Sequence, residues 1–183
     1  MSTPSSTLPS VDPDQPSWTH TLRDGSTVLI RPINTLDKDL ERAFIVGLNQ
    51  QTRRYRFMGS IGEPSERMVK ELTDVDQIHR VAFVAIAQEG GQERIVGVVR
   101  YGTATDSDEC ESAVTVEEDW QNRGLGTTLM NHLIGIARTR GIRRMYSVDS
   151  AENDNMHGLA QHLGFHTTPD PSDSTQVVHT LDV

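Results

Sequence analysis

The sequence predicts an α+β fold: a mixed, mostly antiparallel central sheet with helices on both faces. Apolar runs of strand length at 81–87, 95–101 and 112–116 follow one another across short connections, the pattern of an antiparallel meander. A long amphipathic stretch, 124–140, separates the third run from a fourth at 145–148. A helix between two strands of one sheet makes them parallel, so the sheet is mixed. Further helical patterns lie both before and after these strands, which supplies cover for two faces.

Residues 1–17 are Ser, Thr, Pro and Asp with almost nothing apolar, which reads as a disordered tail ahead of one domain at 18–183. Structure is expected to start near Trp18, and Thr27 to Pro32 reads as a short strand closed by its proline. From Leu36-Asp37 the apolar residues Leu40, Phe44, Ile45 and Leu48 recur at helical spacing. Short helices are expected at 52–57 and 64–73, the latter with Pro64 at its start. In the meander, Glu89-Gly90-Gly91-Gln92 supplies turn chemistry between the first two strands. The helix at 124–140 shows Leu125, Leu129, Leu133, Ile136 and Ala137 on one face, and Gly141 ends it. A last helix at about 155–163, stopped by Gly164, and a closing strand at 177–181 complete the order.

A chain of 183 residues holds one domain, and an apolar fraction of 35% predicts a modest core under a wet surface. No apolar run has membrane-span length, and the start has neither a basic segment nor an apolar secretory core, so a cytoplasmic protein without a membrane partner is expected. The lone Cys110 excludes an internal disulfide framework and a cysteine-based zinc site, and no metal is expected. A net charge of −9 argues against nucleic acid, whose phosphates need a basic surface, and suits a cationic partner. The charge is unevenly spread. Asp106 to Asp119 holds seven carboxylates and no Lys or Arg, whereas Trp120 to Val148 holds five Arg and no acid. Two solvated faces, or an acidic acceptor side beside a basic phosphate side, both fit that split.

Gln121-Asn122-Arg123-Gly124-Leu125-Gly126 lies between the strand ending at Val116 and the helix that follows. The unpaired N–H groups of a helix start attract anions, the two glycines allow close approach, and Arg123 adds a cation. A plain turn has the same composition. A nucleoside-triphosphate P-loop is absent, and Leu129 stands where a dinucleotide fingerprint needs its third glycine.

The loop resembles the Gln/Arg-x-x-Gly-x-Gly/Ala pyrophosphate loop of GNAT N-acetyltransferases. Trp120 before it, Ala151-Glu152-Asn153, Leu163-Gly164-Phe165 and Arg31-Pro32-Ile33 are similar to other parts of that superfamily, in the same order. The resemblance spans Trp18 to Val183 and is nearest to the catalytic domain of bacterial protein-lysine acetyltransferases. It implies the GNAT fold, acetyl-CoA as cosubstrate and transfer of its acyl group to a primary amine, with a protein lysine as first expectation. By resemblance, Gln121, Asn122, Arg123, Gly124, Leu125, Gly126 and Thr127 hold the pyrophosphate. Backbone groups at Val114 and Val116, with Asn153, hold the pantetheine arm, although Asn153 equally suits a helix cap. A homodimer is left open by the sequence.

A lysine-like amine near pKa 10.4 is a free nucleophile in only about one molecule in 10³ at pH 7, so a base is needed. Glu111-Ser112-Ala113-Val114-Thr115-Val116 resembles the family stretch whose glutamate is the general base, which nominates Glu111 for direct attack in a ternary complex. Glu109 is the second choice, since strand alternation places it on the same face. Glu117, Glu118 and Asp119 are expected to face solvent. The resemblance fails at one point: Ala160 stands where many relatives carry a Tyr that protonates the departing thiolate. Tyr146 as its substitute, or as a sheet residue, are both open. A thiol near pKa 8.5 leaves tolerably without an acid, so catalysis survives the loss. Cys110, among acids, is not expected to be nucleophilic, and His157 and His162 lie five apart, wrong for a shared helix face. Arg53, Arg54 and Arg56 read either as partner contacts or as a solvated helix face, in a segment that borders the acceptor in the family. Small amines, polyamines, or an acyl-CoA-binding regulatory domain with little turnover are the alternatives.

Overall fold

The computed structural model describes residues 15–59 and 61–183; most of the tail expected at 1–17 therefore lies outside the described residues. The chain runs through β1 (Trp18–Thr21), β2 (Thr27–Pro32), a 3₁₀ turn at Thr35–Asp37, α1 (Lys38–Gly47), α2 (Gln50–Phe57) and α3 (Glu66–Thr73). It then forms β3 (Arg80–Glu89), β4 (Gln92–Gly102), β5 (Glu109–Val116), a 3₁₀ turn at Glu118–Trp120 and α4 (Leu125–Thr139). β6 (Arg144–Ser150), α5 (Asp154–His162), β7 (His166–Pro169) and β8 (Gln176–Asp182) follow. One sheet of eight strands has the order β1-β2-β3-β4-β5-β6-β8-β7. Every pairing is antiparallel except β5 with β6, the pair that the intervening helix makes parallel.

The sheet has an apolar core on each face. On one, Leu125, Leu129 and Leu133 of α4 pack with Val81, Phe83 and Val99 of the meander. On the other, Phe44 and Ile45 of α1 pack with Ala82, Val84 and Val98. This alternation explains the unbroken apolar run of β3, since a strand covered on both faces has no solvent side. Gly97 lets α4 come close: a Cβ there would lie 2.9 Å from Leu129 Cδ1. β4 carries an extra residue opposite β3, because Ala85 pairs with Gly97 while Ile86 pairs with Ile95. The resulting bulge at Val96 turns its carbonyl toward the N–H of Glu117, 3.0 Å away, at the end of β5.

Two strands escape the sequence pattern. β1 and β7 are the sheet's outer strands; β1 is half exposed and every residue of β7 is exposed, so neither shows an apolar signal. Helix starts also differ in detail. Ser65, whose Oγ accepts from Met68 N at 3.1 Å, caps α3, and Pro64 sits before the cap instead of in the first turn. Its carbonyl is taken by Arg42 at 2.7 Å. Asn34 and Asp37 form a reciprocal capping box, and Arg31 grips both Asp37 oxygens at 2.8 Å, which ties β2 to the start of α1.

Candidate active site

β5 and β6 stay paired for only three residues: Glu109 with Arg144, Cys110 with Met145, and Glu111 with Tyr146. Each strand continues, but held from its outer side. β4 keeps hold of β5 as far as Val116, and β8 keeps hold of β6 as far as Ser150. A gap opens between them. It forms a cleft of about 550 Å³ walled by Ser112 to Val116, by Val148 and Asp149, and by residues of α2 and α5.

Peptide groups of β5 face this gap. Glu117 N–H donates to Val96 O across β4, and along an antiparallel strand such turns alternate. Thr115 and Ala113 therefore share the β4 side, and the N–H and C=O groups of Val116 and Val114 turn toward the gap. Val116 O accepts from the Gln121 side chain at 3.0 Å. Val114 is thus a strand residue with a free hydrogen-bonding edge, which suits an extended amide-bearing ligand.

At the far end of the gap stands the loop 121–126. Asn122 and Gly124 both have positive φ, 60° and 88°, which folds the chain sharply before α4. Gly124, in the cap position, has no side chain to satisfy the first N–H groups of α4, so those donors are left for an anion. Gly126 lines a second cleft of about 420 Å³ with Asn122, Leu125, Thr127 and Arg23. A Cβ on Gly126 would stand 3.4 Å from Leu159 of α5, so the glycine keeps that space open. Gln121 joins the two walls, accepting from Asn155 at 3.2 Å while donating to Val116. Arg123 is already engaged: its guanidinium pairs with Asp24 at 2.8 Å and lies 4.7 Å over the Trp120 ring. Arg23, which no motif singles out, is the arginine that lines the loop cleft.

Four charged residues line the main cleft, Glu118 and one from each of three surrounding elements. Glu111 comes from β5, Asp149 from β6 and Arg56 from α2. Burial, with Arg100 beneath, pulls the Arg56 guanidinium down to about 10, while Glu41, Asp149 and Glu111 oppose the shift. Arg56 makes no hydrogen bond among the described residues. Below it, buried Glu41 pairs with Arg100 at 3.2 Å, and burial raises the Glu41 carboxyl above the usual range. α2 spans the gap: its Asn49 N–H donates to Glu118 on the β5 side, and Tyr55 Oη donates to Glu152 O on the β6 side, at 3.2 and 3.1 Å. Glu118 therefore faces the cleft, and Glu117 is mostly covered and bonded to Arg94, contrary to the solvent positions expected for both. The bulge at Val96 draws this turn inward.

The remaining expected residues divide clearly. Asn153 lines the cleft and also caps α5, its Oδ1 accepting from Met156 N at 3.2 Å. Glu109 pairs with Arg144 at 3.2 Å, outside the cleft. Cys110 is buried and its thiol is pushed up to about 12 by that burial, which removes it as a nucleophile. Tyr146 shares the sheet face of Glu111 as its cross-strand partner, and burial raises its phenol. Ala160 is fully buried, its carbonyl taken by Phe165 N at 2.9 Å. Asp149, Arg56, Tyr55 and Arg23 are the cleft residues that periodicity and motif spacing missed. Only Arg56 had a signal, as one of three arginines in the acceptor-bordering segment.

The comparisons agree with this architecture. The family model described as "Acetyltransferase (GNAT) family" matches residues 48–165. An acetyltransferase of Pseudomonas aeruginosa is 47% identical over 90% of this chain and 88% of its own. The acetyltransferase Pat of Mycolicibacterium smegmatis is 29% identical over 78% of this chain, which spans only 42% of that longer protein. The crystal structure of the GNAT domain of S. lividans PAT superposes with a TM-score of 0.83, at 27% identity, over 91% of this chain and 97% of that domain.

Proposed function

The chain belongs to the GNAT family of acetyltransferases, which use acetyl-CoA as cosubstrate, and we propose that it acetylates the side-chain amine of a protein lysine with Glu111 as general base. The observation that carries this reading is the gap after Glu111 and Tyr146, because one opening connects a base to an anion site.

The residues present fit acetyl-CoA. The uncapped start of α4 with Gly124, Leu125, Gly126 and Thr127 suits its pyrophosphate, aided by Arg23, and Gln121 and Asn122 shape the loop. Arg123 acts in this reading by bracing the loop, through Asp24 and Trp120. The gap-facing peptide groups of Val114 and Val116 suit the amides of the pantetheine arm, with Asn153 on the opposite wall. A backbone N–H near Val114 would also polarise the thioester carbonyl and stabilise the oxyanion formed on attack.

Glu111 stands at the closed end of the gap on the face covered by α1–α3. There it accepts a proton from the amine as nitrogen bonds to the acyl carbon. Carboxylates at 111, 118 and 149 line the opening and favour an approaching cation. The match of Glu111 to Val116 with protein-lysine acetyltransferases supports this acceptor. A cytoplasmic setting belongs to the same reading.

CoA release from acetyl-CoA, measured with lysine peptides, polyamines and aminoglycosides, tests it. Turnover with peptides, with the added acetyl group located on Nζ, is the expected result. Turnover with polyamines or aminoglycosides alone would replace the lysine by a small amine.

A further inference from the structure

Acyl transfer to an ammonium removes two protons from nitrogen and returns one to sulfur. Glu111 accounts for the proton that leaves to solvent. The other has no assigned carrier, because position 160 is alanine.

A polar chain lies on the opposite side of the gap. Asp149, on the cleft wall, accepts from Ser147 Oγ at 2.7 Å and lies 3.7 Å from Nε2 of His179. His179 is fully buried, with Nδ1 2.7 Å from Thr167 Oγ1. Its ring meets that of His157 edge-on at 5.2 Å, and Nε2 of each histidine is buried without a hydrogen-bond partner. Unpaired buried nitrogens cost free energy, and a core position gains nothing from histidine that an apolar residue would not supply. His179 pairs across strands with Ser147, so it shares a sheet face with Asp149, the face covered by α5. Glu111 reaches the gap from the other face, with Tyr146. The two carboxylates thus flank the reaction space from opposite sides of the sheet.

We propose, building on the acyl-transfer reading, that Asp149 and His179 form a proton shuttle on the leaving-group side of the cleft. Asp149 is the catalytic member and His179 acts through it. As the tetrahedral adduct forms, an N–H bond of its ammonium breaks and the proton passes through Asp149 to His179 Nε2. The C–S bond then breaks with its electron pair left on sulfur, and the same proton returns through Asp149 to form S–H. The second nitrogen proton departs by Glu111, so no outside acid is consumed. Burial lowers the His179 pKa, Asp149 opposes that shift, and His157 adds to it. His179 therefore starts empty at neutral pH, and return to a thiolate near pKa 8.5 runs downhill. The charged groups facing the pair are Arg56 of α2 and, across the gap, Glu111; His157 of α5 is a titratable neighbour and Thr167 of β7 is neutral.

Proton NMR titration of the His179 ring in the full chain tests the pair without any acceptor. In the wild type it should titrate below the ordinary histidine value, and lower still in Asp149→Asn. CoA should move that titration and desulfo-CoA should not, because the proposed shuttle acts on the sulfur alone. In turnover, Asp149→Asn should lower kcat about 10²-fold with the acetyl-CoA KM within about twofold, and Asp149→Glu should recover part of the loss. His179→Gln should flatten the acid limb of kcat. A thermal melt checks that each variant is folded. A His179 titration indifferent to Asp149 and to the CoA sulfur overturns the proposal, as does an Asp149→Asn kcat within about twofold of wild type. If the wild type turns over no amine, the acyl-transfer reading fails while the NMR result still decides whether the pair exists.

Discussion

Glu111 and Tyr146 are the last residues paired between the parallel strands β5 and β6. Beyond them β5 stays with β4 and β6 stays with β8, so the sheet divides without either strand losing its support. The bulge at Val96 and the roof formed by α2 complete the opening. A sheet that remained paired to Val116 would have neither a cleft nor free peptide groups for a ligand.

In the proposed reading, the phosphate end of that cleft depends on an empty position. Gly126→Val places a branched side chain where a Cβ alone already touches Leu159 at 3.4 Å. The acetyl-CoA KM should rise by about an order of magnitude or more, because the side chain fills space beside the helix start that the proposed anion site needs. The melting temperature should change little, because the site borders solvent. Steady-state kinetics at saturating acceptor, with a thermal melt alongside, separates the two effects.

Much of this layout was legible in the sequence. The β3 to β5 meander, α4 and β6 follow from apolar runs, unbroken where β3 and β4 are covered on both faces, and the parallel pairing follows from the helix between its strands. β1 and β7 were invisible because edge strands with exposed side chains carry no period. In the site, the loop was readable because its glycines do local backbone work. Asp149 was not, since its importance lies in facing Arg56 and His179 across 93 and 30 positions of chain. No window of sequence contains such a relation.

Beneath the cleft, Arg100 depends on Glu41. Glu41 is buried and Arg100 mostly so, and their contact is 3.2 Å. Glu41→Ala leaves the guanidinium without its counter-charge, and the expected loss is about 3–5 kcal/mol of unfolding free energy. Glu41→Gln keeps a hydrogen-bond acceptor and should lose less. Denaturant unfolding of the three proteins checks the order.

Acid should destabilise the fold through His179. Burial lowers its folded pKa below the ordinary value near 6.5, so the unfolded chain binds this proton more readily. Its contribution is present above that unfolded pKa and is lost as pH falls through the lowered folded value. The melting temperature should therefore drop on acidification below about pH 6.5, and less steeply in His179→Gln. His132, lowered by burial and by His20, keeps a residual slope in the variant. Thermal melts across that window provide the comparison.

The role of Glu111 is tested most directly by CoA release from acetyl-CoA with a lysine peptide, in wild type and Glu111→Gln, over roughly pH 6–9. Turnover by the wild type and a fall of about 10²-fold or more in kcat for the variant are the expected results. Acetyl-CoA should still raise its melting temperature as in the wild type. Release that is equal in the two proteins across that range would contradict that role.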